Sequence, residues 1–315
     1  MKNLMIIVFG SVSMDIFIET PSIPAPGETV YASSYEKVTG GKAANQALAA
    51  VRSGAQVSLV GKVGDDVFGT AIVNRLKREG ISTAGIVKSE RPTGSAIYLR
   101  EGGHTRMILA LSANDEISEE QVPAEALNEK SFLLLQTEIR AEENAAMLDK
   151  AKKAGATTIM NFSPSLDLSQ KTLKNLDYLI VNQNEAQKIA KKLGLGADSV
   201  NLSKIAKALA QLGHLHCIIT RDAQGCVGYT PEGTGWTVGA LPLEGNGAID
   251  LEGAEDAYCG TFAACLHNEA SFSKALKRAS VAAALTCTKP GAQNALPHLA
   301  DIEEHLGKLP DAESL

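Results

Sequence analysis

Short apolar runs alternate with amphipathic segments along nearly the whole chain, and this alternation limits the fold more than any other feature of the sequence. Met5–Phe9 is an unbroken apolar run, the pattern of a strand covered on both faces. Further strands are expected at 56–60, 132–136, 157–161, 178–182 and 217–220. Helices are expected over 43–53, 66–79, 142–154, from Glu185 onward, and over 256–268 and 273–286. Strands separated by helices return in the same direction, so the chain reads as α/β: a three-layer αβα sandwich around a mostly parallel sheet.

Two stretches break this rhythm. Residues 16–36 and 93–110 hold short alternating segments punctuated by Gly and Pro, such as Pro24-Ala25-Pro26-Gly27. They are expected to form a small antiparallel β lid, inserted at about 12–36 and 93–112 of a single domain spanning residues 1–315. A hydrophobic fraction of 44% is ample for one large core. A net charge of −6 and 4% aromatics argue against a nucleic-acid surface, which needs a basic stripe and stacking platforms. The five cysteines are odd in number and include no C-x-x-C pair, which points away from a disulfide framework or zinc site and towards a reducing cytoplasm. The apolar run after Lys2 is short for a signal-peptide core, and no stretch approaches the roughly 20 residues of a membrane span. His214 and His216 flank Leu215 with no third ligand in view, so they read as ordinary solvent or core histidines.

Two glycine motifs carry the chemistry. Gly40-Gly41-Lys42 lacks both the upstream glycine (Glu36 stands there) and the Ser or Thr (Ala43 stands there) of a Walker A loop. Gly10–Asp15 lacks the spacing of a dinucleotide fold. Yet Gly40–Ala47 places Lys42 and Asn45 at a helix start behind two glycines that let backbone approach a ligand. In the second motif a Gly253-Ala254 turn leads into a small-residue helix carrying Glu255 and Asp256. A helix N-terminus suits a phosphate or developing oxyanion, and Asp256 could serve as a general base there or simply as a helix-start carboxylate.

Taken together, the motifs resemble those of the PfkB carbohydrate kinase family, and most of all its ribokinase members. The residues that carry the resemblance are Gly40–Ala47, Gly10–Asp15, Pro26–Val30, Gly61–Gly69, Thr93–Ala96, Gln136–Ile139, Asn182–Glu185 and Pro290–Gln293, in order along the whole chain. The resemblance implies transfer of the γ-phosphoryl group of ATP to a primary sugar hydroxyl, with Asp256 as the catalytic base. It implies sugar contacts by Asp15, Gly41, Lys42, Asn45 and Glu138. It implies a nucleotide and anion site from Asn182, Glu185, Thr220, Asp222, Gly225, Gly253, Ala254 and Glu255, with Glu185 acting indirectly on Mg²⁺. Asp250 and the segment 287–292 would border a monovalent-cation site, usually K⁺, and the lid would pair two subunits as a homodimer.

The chain departs from the family at its anion hole, where Gly-Ala-Gly-Asp becomes Gly253-Ala254-Glu255-Asp256 and the preceding Thr-Thr becomes Leu251-Glu252. With Asp222 this puts three carboxylates where the family binds polyphosphate. Two unit charges about 4 Å apart repel by roughly 4 kcal/mol at an effective dielectric of 20. Three readings follow: an active D-ribose kinase, a kinase-derived sugar- or nucleoside-binding protein of weak activity, or an active kinase for another sugar or nucleoside.

Overall fold

The computed structural model describes residues 5–164, 169–195, 201–243 and 247–315. The first strand, β1 (Met5–Phe9), runs into two strands outside the main sheet, β2 (Ser13–Glu19) and β3 (Ser34–Gly40), and then into α1 (Lys42–Arg52). Next come β4 (Val57–Gly64), α2 (Val67–Arg78), β5 (Ser82–Ser89) and a second excursion, β6 (Gly94–Glu101) and β7 (His104–Ala110). The middle of the chain alternates: β8 (Ser131–Leu135), α3 (Ala141–Lys153), β9 (Thr157–Asn161), α4 (Gln170–Lys174), β10 (Tyr178–Asn182), α5 (Gln183–Lys192), α6 (Leu202–Gly213) and β11 (His216–Thr220). It ends with β12 (Cys226–Tyr229), β13 (Gly235–Val238), α7 (Ala254–His267), α8 (Phe272–Thr286), α9 (Leu299–His305) and β14 (Glu313–Ser314).

The main sheet has the order β14-β13-β12-β11-β10-β9-β8-β1-β4-β5. From β5 to β11 every pair is parallel, and the strands inside the edge strand β5 are largely buried on both faces. The alternation within β1 shows why its apolar run is continuous. Ile6 and Val8 face a layer built from α1, α7 and α8, whereas Ile7 and Phe9 face the layer of α3, α5 and α6. Strands β12 to β14 extend the sheet in antiparallel fashion. Sequence reading missed these strands and β5. The link from β11 to β12 is too short for a crossover, and β5 is an edge strand whose polar and apolar residues mix.

On the first face, α1 and α7 approach closely. Ala43, Ala44, Ala47, Ala49 and Ala50 are all buried, and a Cβ on Gly260 of α7 would lie 2.3 Å from the carbonyl oxygen of Gln46. This contact matters for function, because the two helices carry facing halves of the site described below.

The excursions form a second sheet in the order β3-β2-β6-β7. Its outer pairs are antiparallel, as expected, and its central pair, β2 with β6, is parallel. The reason is topological. Strands β2 and β6 leave the C-terminal ends of β1 and β5, which already point the same way. Phe17 and Tyr98 stack across this pair at 4.4 Å. All five cysteines are buried and unpaired, Cys259 completely. His214 ends α6 in the left-handed region, and His216 stacks on Tyr178 at 4.5 Å. Among the described residues no helix is long and apolar enough to cross a membrane.

Candidate active site

Open α/β sheets collect their functional groups outside the C-terminal ends of the parallel strands. Here β1 delivers Ser11, β8 delivers Gln136 and Glu138, β9 delivers Asn161, β10 delivers Asn182 and β11 delivers Thr220. Between these ends and the second sheet lies a cavity of about 380 Å³, lined by Asp15, Gly41, Lys42, Asn45, Glu138 and Asp256, among others. The five residues expected to hold a sugar and the expected base thus converge in one place.

Each is fixed by a local cause. Gly41 precedes α1 with φ +92°, and a Cβ there would fall 2.7 Å from the carbonyl oxygen of Ser11, so the left-handed, close-packed turn requires glycine. Gly40 leaves room for Asp15, whose carboxylate would lie 2.0 Å from any Cβ at that position. Glu138 accepts hydrogen bonds from Ser11 Oγ at 2.6 Å and from the Lys42 backbone N–H at 3.1 Å, tying β1, α1 and the end of β8 together. Asp256 is buried in the first turn of α7. Asn45 Nδ2 donates to its Oδ2 at 2.9 Å, Gln46 Nε2 donates to its Oδ1 at 3.0 Å, and Lys42 Nζ stands 3.7 Å from Oδ1.

Burial raises the Asp256 carboxyl, against the opposing pull of Lys42, Asn45 and Gln46. Burial alone would lower Lys42, but the charges of Asp256, Glu255 and Glu138 hold it well above the usual lysine range. Asp15 is pushed up to about 7, chiefly by burial and only partly offset by the hydrogen bond from Ser13.

The Asp15 shift has a testable sign. In the unfolded chain Asp15 ionises near its ordinary value of 3.8, and in the fold it keeps its proton to about 7. Between those values the native state binds more protons, so stability falls as pH rises through the window. Each pH unit is worth about 1.4 kcal/mol, so the full window amounts to up to about 4 kcal/mol. Asp15→Asn removes this dependence. Its stability advantage in urea unfolding is expected to be absent near pH 4 and to grow until about pH 7. A difference that stays constant across pH would refute the assignment.

The residues expected to bind a nucleotide are dispersed over the same rim. Gly253 (φ +78°), Ala254 and Glu255 open α7, and Gly253 and Glu255 face the cavity. Asn182 and Glu185 form a reciprocal cap on α5: Asn182 Oδ1 accepts from the Glu185 N–H at 3.0 Å, and Glu185 Oε2 accepts from the Asn182 N–H at 2.9 Å. Burial, then the charge of Glu255, raises the Glu185 carboxyl. Thr220 closes β11, and Asp222 and Gly225 lie in the turn to β12, all outside the cavity lining. Asp250 stands in the loop before α7, with Oδ2 accepting from the Gly291 N–H at 2.9 Å and Oδ1 from the Glu252 N–H at 3.0 Å.

Each of the three carboxylates that depart from the family has surroundings of its own. Asp222 accepts from Gln183 at 3.2 Å in the turn between β11 and β12. Glu252 lines the sugar-sized cavity, where burial and then Asp250 raise its carboxyl. Of the three, Glu255 stands in the first turn of α7 beside Asp256, and it has partners: Lys42 Nζ lies 3.3 Å from Oε2, and Asn161 Nδ2 donates to Oε1 at 3.0 Å. Arg221 turns back on the β11–β12 hairpin and donates to the carbonyls of Gln224 and Cys226 and to Thr237 Oγ1. Sequence reading also missed Gln46 and Asn161. The available signal was a polar residue closing the buried strand β9, and a glutamine inside an otherwise apolar helical stretch.

Comparison with known proteins agrees with this geometry. Residues 3–299 match the pfkB family of carbohydrate kinases. The ribokinase of Bacillus subtilis (strain 168) is 35% identical over 313 residues, covering 97% of this chain and all of the relative. Among solved structures, the ribokinase of Thermotoga maritima superposes with a TM-score of 0.88 at 27% identity, covering 97% of this chain and 100% of that one. A ribokinase from Cryptococcus neoformans in complex with ADP superposes at 0.82 with 30% identity, covering 96% and 99%.

Proposed function

The chain belongs to the pfkB family of carbohydrate kinases, phosphotransferases that act on a sugar alcohol group, and from that premise we propose that it phosphorylates D-ribose at its primary hydroxyl with ATP, giving ribose 5-phosphate and ADP. The observation that carries this reading is the buried Asp256 carboxylate on the cavity wall, held by Asn45 and Gln46 beside Lys42. Relatives named ribokinase and the ADP complex of one of them support the acceptor and the donor.

In this reading Asp15, Asn45 and Glu138 offer the carboxylate and amide groups that a polyol needs, since each hydroxyl both donates and accepts. Gly41 brings backbone against the sugar. Asp256 takes the hydroxyl proton as the oxygen–phosphorus bond forms and the bond to the β-phosphate oxygen breaks. Lys42 and the positive N-terminal end of α7 would favour the charge on the phosphoryl group in transit. Asn182 and Glu185 offer oxygen donors of the kind Mg²⁺ takes. Because each is already bonded to the other's backbone, they would hold the ion through water. The ion when bound would offset polyphosphate charge. K⁺ would be held by Asp250 and carbonyls of 287–292, steadying the loop that enters α7. Thr220, Asp222 and Gly225 would border the nucleotide on the far side. The second sheet lids the sugar and excludes water. Its open strand β7, with Met107 and Ile108 exposed, is the surface on which two copies would pair. Buried, unpaired cysteines fit a reducing cytoplasm.

Glu255 favours a second reading, in which the protein binds a sugar or nucleoside and transfers phosphate slowly. Its carboxylate occupies the positive mouth of α7 and engages Lys42, the charge a donor phosphate would need. Glu255→Gly is expected to lower the KM for ATP by roughly 10- to 100-fold, in keeping with the loss of about 1.5–3 kcal/mol of screened repulsion. Nucleotide titration of both proteins checks this. An unchanged ATP affinity would mean that Lys42 and Asn161 already silence the Glu255 charge. Assay of D-ribose against other pentoses, hexoses and nucleosides ranks the acceptor.

A further inference from the structure

Behind the cavity wall, and outside its lining, lies a chain of buried amides. Asn144 Nδ2 donates to the backbone carbonyl of Gln136 at 2.7 Å, and Gln136 Nε2 donates to Gln46 Oε1 at 2.7 Å. Gln46 Nε2 then divides its two hydrogens between Asp256 Oδ1 and Asn161 Oδ1, both at 3.0 Å. Gln46 and Gln136 are completely buried. The amide of Gln46 is therefore locked. Turned over, it would set its carbonyl oxygen against the Asp256 carboxylate and Asn161 Oδ1, and its NH₂ against that of Gln136.

Gln136 is committed to this one task. Its Oε1 is buried without a partner, a state that interior amides normally avoid. Gly10 makes room for it, since a Cβ there would lie 2.3 Å from Oε1. The two oxygens of Asp256 also differ. Oδ2 is held by Asn45, which lines the cavity, and Oδ1 by Gln46, which does not. A ligand can compete for Asn45, but no ligand reaches Gln46.

From this arrangement we propose that Gln46 is a positioning residue for phosphoryl transfer, clamping Oδ1 of Asp256 from behind through an amide whose orientation Gln136 enforces. The proposal rests on Asp256 being the base. The other charged or titratable groups around Asp256 are Lys42 on α1, Glu255 and Cys259 on α7, Glu252 in the loop before it, Asp15 on β2, Tyr98 on β6 and Glu138 after β8. None of them substitutes for a neutral donor on Oδ1, and Lys42 is shared with Glu255.

The test compares full-length wild type, Gln46→Met and Gln136→Met, with Asp256→Asn alongside, in a coupled ADP-release assay over pH 5–9. Gln46→Met is expected to lower kcat by about 10- to 100-fold, as a small misplacement of a reacting group does. The KM values for sugar and ATP should stay within about threefold, because a group behind the wall touches neither ligand. Loss of a donor to the charged carboxylate should shift the acid limb of the kcat profile to higher pH by about 1 unit. Gln136→Met leaves the Asp256 contact in place and frees the amide to turn, so it should move the same limb by less. It also decides the matter if Gln46→Met fails to fold. An unmoved acid limb in a folded variant, with Asp256-dependent turnover intact, overturns the role of Gln46 alone. Turnover that survives Asp256→Asn overturns both this role and the reading of Asp256.

Discussion

Asp256→Asn is expected to reduce kcat by about 10²- to 10⁴-fold, the range that a positioned general base contributes. The asparagine is close to isosteric but cannot accept the hydroxyl proton. It also sets an NH₂ group against one of the two amides that now donate to the carboxylate, from Asn45 and Gln46. Lys42 Nζ, 3.7 Å from Oδ1, loses one of its two partners and falls back on Glu255. Binding of the sugar should change much less than turnover, because the remaining carboxylates and amides of the cavity are untouched. Steady-state ADP release with D-ribose, ATP, Mg²⁺ and K⁺ measures the first effect, and calorimetric sugar titration the second. A variant retaining more than a tenth of the wild-type rate would remove Asp256 from the chemistry.

Gly260→Val is expected to destabilise the protein by about 3 kcal/mol and to impair catalysis with it. A Cβ at Gly260 would lie 2.3 Å from the Gln46 carbonyl oxygen, 2.6 Å from Ala49 Cβ and 2.9 Å from the Ala50 nitrogen. These are backbone and stub atoms that cannot swing aside, so α1 must move off α7, and overpacking of this kind costs typically 1–3 kcal/mol or more. Such a loss lowers Tm by roughly 6–12 °C in a domain somewhat smaller than this one. Displacing α1 also pulls Asn45 and Gln46 away from Asp256, so kcat should fall even in the folded fraction. Gly239→Ala is the control, since a Cβ there meets nothing within 4 Å, and its Tm should stay near that of wild type. Equal Tm values for the two variants would show that the α1–α7 contact is looser than described.

Much of the architecture was legible in local patterns. The unbroken run of β1 announced burial on both faces, and the alternating, Gly- and Pro-punctuated stretches announced strands outside the main sheet. Where one residue's neighbours along the chain set its behaviour, as at the Gly41 turn, the motif and the structure coincide. Strands β5, β12, β13 and β14 escaped because their residues are short or mixed in character. They earn their place by pairing at a sheet edge rather than by periodicity.

The chemistry divides along the same line. The sequence alone determined the fold class, the family resemblance and residues that prove to line the cavity, because apolar periodicity and glycine-rich turns act over a few residues. Tertiary structure alone decided how the charges are shared. Asn45 and Asp256 are 211 positions apart in the chain, and Lys42 and Glu255 are 213 apart, so only the sheet order and the close α1–α7 contact bring them together. The same distance of chain hid the partners of Glu255 and Asp222, each of which has a donor of its own. A carboxylate's effect depends on what stands within a few ångströms of it, since Coulomb and hydrogen-bond energies fall off over that range. A linear sequence specifies those neighbours only through the fold.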